Sequence, residues 1–495
     1  MILFPKRSHL WHFIPTTFLC IFINIAHAAH VDVTATSSSS DTYSGSESRL
    51  ESSNSSPDLP IMGMSPRSTT EDKTIIKISS KKDLDNFFTV NDLSKIKQLL
   101  ISDLNKDSSV SLTNYLHVNA HSLMSLTKIV LKNIVLNEDV VANIVILLNA
   151  AKKIKELRFE ANQITDDSLK ALRKINDDIE IQKLELVGIV FEKQSLKRLK
   201  YLFRKLKKLT VLSFRDSEIG NDTGKSLNYL SECLTGLIYL DLSNTGIEYT
   251  EAKNFLASTQ KLKHLNLSGN RFDSLLLKNI DTFKNTFPNI EHLFLSKCEI
   301  HPTSVYQLIE LIGKEGKIKT LDLSGNNIGN QGLHLIVINL QRIIEKLFVG
   351  HNNLTKESLF YLKDYIAKFQ KIKSLDFSEN NLQDGVLLLA IIVERSVTLK
   401  NINISRSKLD NRDIKMMASN FETFGSLEGL NLEFNEFDEK ALQFFRQAQI
   451  KNSNLKILTI HSDRIGAEAL KKFAEEFSTE LKGCRINYTG FVGQV

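Results

Sequence analysis

His264 and His292 stand at the same place in two similar segments, LKHLNLS and IEHLFLS. A pair of imidazoles on neighbouring strands is the start of a site for zinc, copper or nickel. Neighbouring strands would hold the two about 4.8 Å apart on one face. A closed metal site needs more ligands, and no carboxylate or thiolate completes a tetrahedral set at that column. The expectation is two polar side chains on a solvated sheet, without metal or other cofactor. The spellings HExxH, GxSxG, HxE with PCxxC, the acidic calcium loop and GxxxxGK[ST] are also missing. The chain is therefore read as non-enzymatic, with no small-molecule substrate.

The residue types that remain chemically notable are those that anchor interfaces. Phe294 and Phe348 occupy positions where similar segments carry Asp or Asn, and Tyr239 stands just before the corresponding leucine of its own segment. Exposed aromatics concentrate binding energy. Together with the two histidines they predict an aromatic patch, and the surface around it adds Asp241, Asn266, Asp322 and Asp376. These nine residues are the expected contact site for a protein partner. A second candidate is EKQSLKRLKYLFRKLKKL at 192–209, where Leu196, Leu199, Phe203 and Leu206 mark a buried helical face. Lys193, Lys197, Arg198, Lys200, Arg204, Lys205, Lys207 and Lys208 cover the rest. Such a helix suits a membrane surface or nucleic acid, and more often is the solvated back of a packed helix.

What positions these residues is a repeat. An apolar L-x-x-L-x-L spelling recurs, and taking its middle residue as anchor the units fall at Ile129, Leu157, Leu184, Leu212, Leu240, Leu265, Leu293, Leu321, Leu347, Leu375, Ile402, Leu430 and Leu458. Successive anchors are 25–28 residues apart. A weaker unit around Leu99 would form an N-terminal cap. Within LDLSGNNIGNQGLHLIVINL, Leu321 and Leu323 alternate with polar residues as a strand does, and Leu333, Ile336, Val337 and Leu340 follow helical spacing. Thr355, Asp438 and Pro302 are placed as helix starts. Strand, turn and helix repeating in one direction force parallel strands with right-handed crossovers. The expected fold is an α/β horseshoe solenoid, with a parallel sheet on the concave side and helices on the convex side.

The strings LIYLDLSNTGI, LKHLNLSGNRF, IKTLDLSGNNI, IEKLFVGHNNL and IKSLDFSENNL resemble the ribonuclease-inhibitor type of leucine-rich repeat, over about four fifths of the chain. The resemblance implies a scaffold for binding proteins, as in intracellular inhibitors, GTPase activators and innate-immune sensors. Fold alone does not fix which. The inhibitor is cysteine-rich and acidic, whereas this chain has 4 cysteines and a formal charge of +6, so ribonuclease binding is not expected. A regulator of an enzyme, an inhibitor or GTPase-activating scaffold, is the alternative to simple binding. The side chain five residues after each anchor is Asn at 162, 270, 326, 352, 380 and 435, where an amide can satisfy the turn leaving the strand. Cys298 holds the same place and is read as structural, while Ile134 and Ile189 make the first units less regular.

Of the 495 residues, 42% are hydrophobic and 24% charged, which excludes disorder over the whole length. Residues 1–28 read as a secretory signal, with Lys6 and Arg7 before an apolar run and cleavage expected after Ala28. Residues 29–72 form a Ser/Thr-rich linker, 73–122 the cap region, 123–482 the repeats and 483–495 a tail. Cys233, Cys298 and Cys484 give no disulfide framework. The reading is a secreted monomer, and its cysteine-poor, Lys/Asn/Ile-rich spelling suits a bacterial effector delivered to a host cell. Sequons at Asn54, Asn221, Asn266, Asn353, Asn403 and Asn487 would carry glycans only in a eukaryotic secretory route.

Overall fold

In each repeat the polar residues beside the anchor face one way and the apolar ones the other, so one face of every strand is buried. The computed structural model describes residues 75–488, apart from 91, 165, 192–194, 220–229, 231, 248–255, 257, 272–288, 314–315, 425, 448–453 and 481–483. The signal and linker expected over 1–72 lie outside the described residues.

Sixteen strands among the described residues form one sheet in sequence order. Every pairing is parallel, and the anchors sit side by side: Leu265 pairs with Leu240 and Leu293, Leu321 with Leu293 and Leu347, Ile402 with Leu375 and Leu430. The sheet extends beyond the thirteen repeat anchors at both ends. Ile75–Ile78 and Gln98–Ser102 lie in the cap region, with Leu99 paired to Ile129. Arg485–Asn487, within the segment read as a tail, pairs with Ile457–Thr459.

The helices pack on the buried face. In Gly329–Leu340 the buried residues include Leu333, Ile336, Val337 and Leu340, the four the spacing marks. Pro302 opens its helix at the first turn, and Thr355 accepts the Glu357 N–H. Asp438 accepts the Lys440 N–H in the same way. Anchors such as Leu293, Leu321 and Leu347 are fully buried, each burial worth about 1.5–3 kcal/mol. Strands repeat at roughly 4.8 Å while packed helices need about 8–10 Å, so the repeats fan out with the strands on the concave side.

Two devices turn the chain after each strand. Four residues past the anchor the backbone enters the left-handed region, as at Asn133 (φ 49), Asp216 (φ 58), Asn244 (φ 53) and Gly269 (φ 70). At Gly269 a Cβ would lie 1.7 Å from Asn244 Oδ1, so any larger residue there requires the Asn244 side chain to turn away. One residue later comes the amide column. Asn326 Oδ1 accepts the N–H groups of Cys298 and Ile300 at 2.9 and 3.0 Å, and its Nδ2 donates to the carbonyls of Leu295 and Leu323 at 2.8 and 2.7 Å. Asn380 does the same for Asn352 and Leu354. Where Ile134 and Ile189 stand in this column, their own N–H groups are taken up by Asn162 and Ser217 of the following repeat. Ser217, Thr245 and Ser407 belong to the same column and bond through their hydroxyls.

Candidate functional site

The concave surface is built from two rows of side chains on either side of the buried anchors. In the row before the anchor, Tyr239, His264 and His292 are in register. Tyr239 lies 5.9 Å from His264 between ring centroids, and His264 stacks on His292 at 4.3 Å with the planes 8° apart. His292 Nδ1 is hydrogen-bonded to Thr320 Oγ1 at 2.9 Å. Burial holds both imidazoles below their usual pKa, against the pull of Glu291, and burial raises the Tyr239 phenol. The rings are face to face, so their in-plane lone pairs do not converge on a common point. Among the described residues no group of three or more His, Cys, Asp or Glu could hold a metal ion.

In the row after the anchor the register runs Asp241, Asn266, Phe294, Asp322, Phe348, Asp376. The structure divides this expected set in two. Asp241, Asn266, Asp322 and Asp376 each accept the N–H of the serine two residues on, at 2.9, 3.0, 2.9 and 2.9 Å. Asp376 takes a further bond from Asn403 Nδ2 at 2.8 Å. Their polar capacity closes their own turns, and burial raises the pKa of Asp241 and Asp322. Phe294 and Phe348 do the reverse: each is half-buried, and the strand bearing Asp322 lies between them. These two rings and the Tyr239–His264–His292 stack form the apolar part of the surface.

Charge pairing on both sides of this patch was not anticipated from sequence. In the first repeats Lys128 pairs with Glu156 (3.2 Å), Lys132 with Glu160 (2.8 Å), and Arg158 with Glu185 (3.6 Å). Two residues before the anchors, Lys263 and Lys319 both reach Glu291, Lys373 reaches Glu345, and Lys400 and Lys456 both reach Glu428. The signal was present as Lys and Glu interspersed in one repeat column. Lys319 and Lys263 hold the Glu291 carboxyl down to about 2.

The basic stretch folds as Ser195–Lys205. Leu199, Phe203 and Leu206 are buried as expected, while Lys193 and the Leu196 side chain lie outside the described residues. Lys200, Lys205 and Lys208 pair with Glu232, Asp177 and Glu180 at 3.2, 2.7 and 2.6 Å. Three of its eight basic residues are thus paired with acids of neighbouring repeats. Cys298 is buried, its Sγ 3.3 Å from the Leu267 carbonyl, and burial pushes the thiol up to about 12. Cys233, Cys298 and Cys484 are all free. No helix among the described residues is long and apolar enough to cross a membrane.

Family models described as leucine-rich repeat match residues 261–283 and 317–337. NACHT, LRR and PYD domains-containing protein 4E of Mus musculus is 26% identical over 243 residues, which is 47% of this chain and 24% of that protein. Ribonuclease inhibitor of Sus scrofa is 23% identical over 300 residues, 58% of this chain and 66% of that protein. The chain thus spans about a quarter of the first relative and two thirds of the second. Among solved structures, a TLR13–ssRNA13 complex aligns with 80% of this chain and 61% of its own at 15% identity and a TM-score of 0.44.

Proposed function

This chain is a leucine-rich-repeat protein, and we propose that it is a scaffold whose concave sheet binds one protein through the patch of Tyr239, His264, His292, Phe294 and Phe348. The observation that carries the reading is the contrast within one row. Its Asp and Asn members are occupied by their own turns, whereas Phe294 and Phe348 stand half-exposed with no structural task of that kind. Buried-rim aromatics of this sort are the residues on which interfaces concentrate energy.

The test is a pull-down from cell extract with residues 71–495, comparing the native sequence with a Tyr239→Ser, Phe294→Ser, Phe348→Ser variant of matched helical content. Capture of one protein by the native sequence and its loss in the variant supports the site. Equal capture by both overturns it.

A finer reading makes the scaffold a regulator of an enzyme, in line with the name of the porcine relative. Assay of the captured partner with and without this protein separates regulation from simple attachment. Export, and action on a host cell, is inferred from residues 1–28 and composition. A native N-terminus at Ala29 would support it, and an intact Met1 or N-linked glycans would overturn export or bacterial origin respectively. Binding to membranes or nucleic acid through 193–208 is disfavoured by the ion pairs of Lys200, Lys205 and Lys208. Salt-sensitive binding to liposomes or oligonucleotides, lost when these lysines become Gln, would restore that alternative.

A further inference from the structure

The left-handed position four residues past the anchor is filled by glycine at 188, 269 and 325, by Asn or Asp at 133, 216 and 244, and by Ala161 (φ 50) and Lys297 (φ 53). Glycine, Asn and Asp are the residue types that enter it at least cost. In four consecutive later repeats it is filled instead by His351 (φ 52), Glu379 (φ 56), Arg406 (φ 52) and Phe434 (φ 55). Lys408 (φ 61), in the same turn as Arg406, adds another. A bulky side chain with positive φ is strained, and strain kept where glycine or asparagine would relieve it points to a task outside the scaffold. The core does not need these side chains, since His351, Glu379, Arg406 and Lys408 are exposed and Phe434 is half-buried.

Their arrangement gives the task a chemistry. The Arg406 guanidinium lies over the Phe434 ring, 4.2 Å from its centroid, and Phe434 meets His461 of the next repeat edge to face at 5.0 Å. His461 Nδ1 is buried without a hydrogen-bond partner. Neither Arg406 nor Lys408 pairs with a carboxylate among the described residues. Neighbouring acids have partners of their own: Glu379 lies 3.3 Å from His351, Glu433 accepts from Asn431 at 3.4 Å, Glu436 faces Arg464 at 3.8 Å, and Asp463 lies 3.4 Å from His461 Nε2. A guanidinium resting over a ring still has N–H groups to offer a planar carboxylate.

We propose that the turn carrying Arg406 and Lys408, with Phe434 and His461 beside it, is a second interaction site that takes an acidic peptide segment of a protein partner. A carboxylate would sit against the Arg406 edge with Lys408 as the second cation, and the Phe434 and His461 rings would cover the adjoining side chain. A polyphosphate chain brings a charge at every unit toward Glu433, Glu436 and Asp463, whereas a peptide can present one carboxylate to Arg406 with an apolar neighbour on the rings. This site lies on the turns beyond the strands and does not depend on the concave aromatic patch.

The experiment uses the full chain and a fluorescein-labelled peptide carrying one Glu beside a Leu, followed by anisotropy, with an oligothymidylate as competitor. The native protein should bind the peptide saturably. Arg406→Asn with Lys408→Asn should weaken binding by about tenfold or more, the equivalent of one lost charge-assisted contact. The same variant should melt no lower than the native protein, because asparagine tolerates the left-handed backbone that Arg and Lys strain. Arg406→Lys, which keeps the charge and loses the planar fork, should fall between the two. No saturable binding, or equal binding by the double Asn variant, overturns the proposal. A lowered melting midpoint in that variant overturns it too, by giving Arg406 and Lys408 a structural role. Displacement of the peptide by the oligothymidylate, with tighter binding of the latter, would replace the acidic segment with a phosphate backbone.

Discussion

Removing the Asn326 amide tests the idea that the column of side chains past each strand is what closes the turns. In Asn326→Ala five hydrogen bonds disappear, the longest being that from Nδ2 to the Ser324 carbonyl at 3.4 Å, and the losses are unequal. The Leu323 carbonyl keeps a second donor, Asn352 Nδ2 at 2.8 Å. The N–H groups of Cys298 and Ile300 and the carbonyl of Leu295 lose the bonds that Asn326 supplies. A buried polar group left unsatisfied costs about 1–3 kcal/mol, and carbonyls less than N–H groups, so the variant should lose roughly 3–4 kcal/mol. Asn326→Ser has an internal precedent. Ser217 accepts one N–H, from Ile189 at 2.9 Å, and donates to one carbonyl, Leu186 at 2.8 Å. That leaves a single N–H orphaned and a loss of about 1–1.5 kcal/mol. Because repeat arrays do not always unfold in one step, the denaturation midpoint should be read together with amide hydrogen exchange. The amides of Cys298 and Ile300 should become fast in Asn326→Ala, with distant repeats unchanged. A loss below about 1 kcal/mol with both amides still protected would refute the reasoning.

Two other outcomes follow from the same structure. Cys298, with its thiol pushed up to about 12 by burial, should resist Ellman's reagent in the native protein while the partly exposed Cys233 reacts; mass mapping of a modified Cys298 without denaturant would contradict this. Glu291 has a folded pKa of about 2 against an ordinary 4.5, so its stabilising effect is complete above about pH 4.5 and is lost as pH falls toward 2. His264 and His292 are also lowered, so their contribution is present above 6.5 and is lost as pH falls below it. Melting midpoints against pH should show both limbs, with Glu291→Gln flattening the lower one and, by removing the pull on the two imidazoles, deepening the upper one.

The repeat itself was legible because its contacts are made at a fixed sequence offset. All thirteen anchors named from spacing stand side by side in the sheet, from Ile129 beside Leu157 to Leu430 beside Leu458. The amide column was legible for the same reason, although Ser217, Thr245 and Ser407 escaped because they spell it differently. The strand Arg485–Asn487 escaped because RIN lacks the leucines that mark the others.

Of the nine residues proposed for the concave site, the sequence could place each on its face but not decide what occupied it. Whether Asp322 offers its carboxylate outward or bonds its own turn depends on the serine N–H two residues on and on the bend between them. The pairing of Lys208 with Glu180, or the stacking of Arg406 on Phe434, depends on how far long side chains reach across repeats. Periodic apolar burial is a one-dimensional constraint, so the sequence alone determined the solenoid. Which polar groups are engaged inside the molecule, and which are left to meet a partner, is set by lateral packing between repeats and was decided only in the tertiary structure.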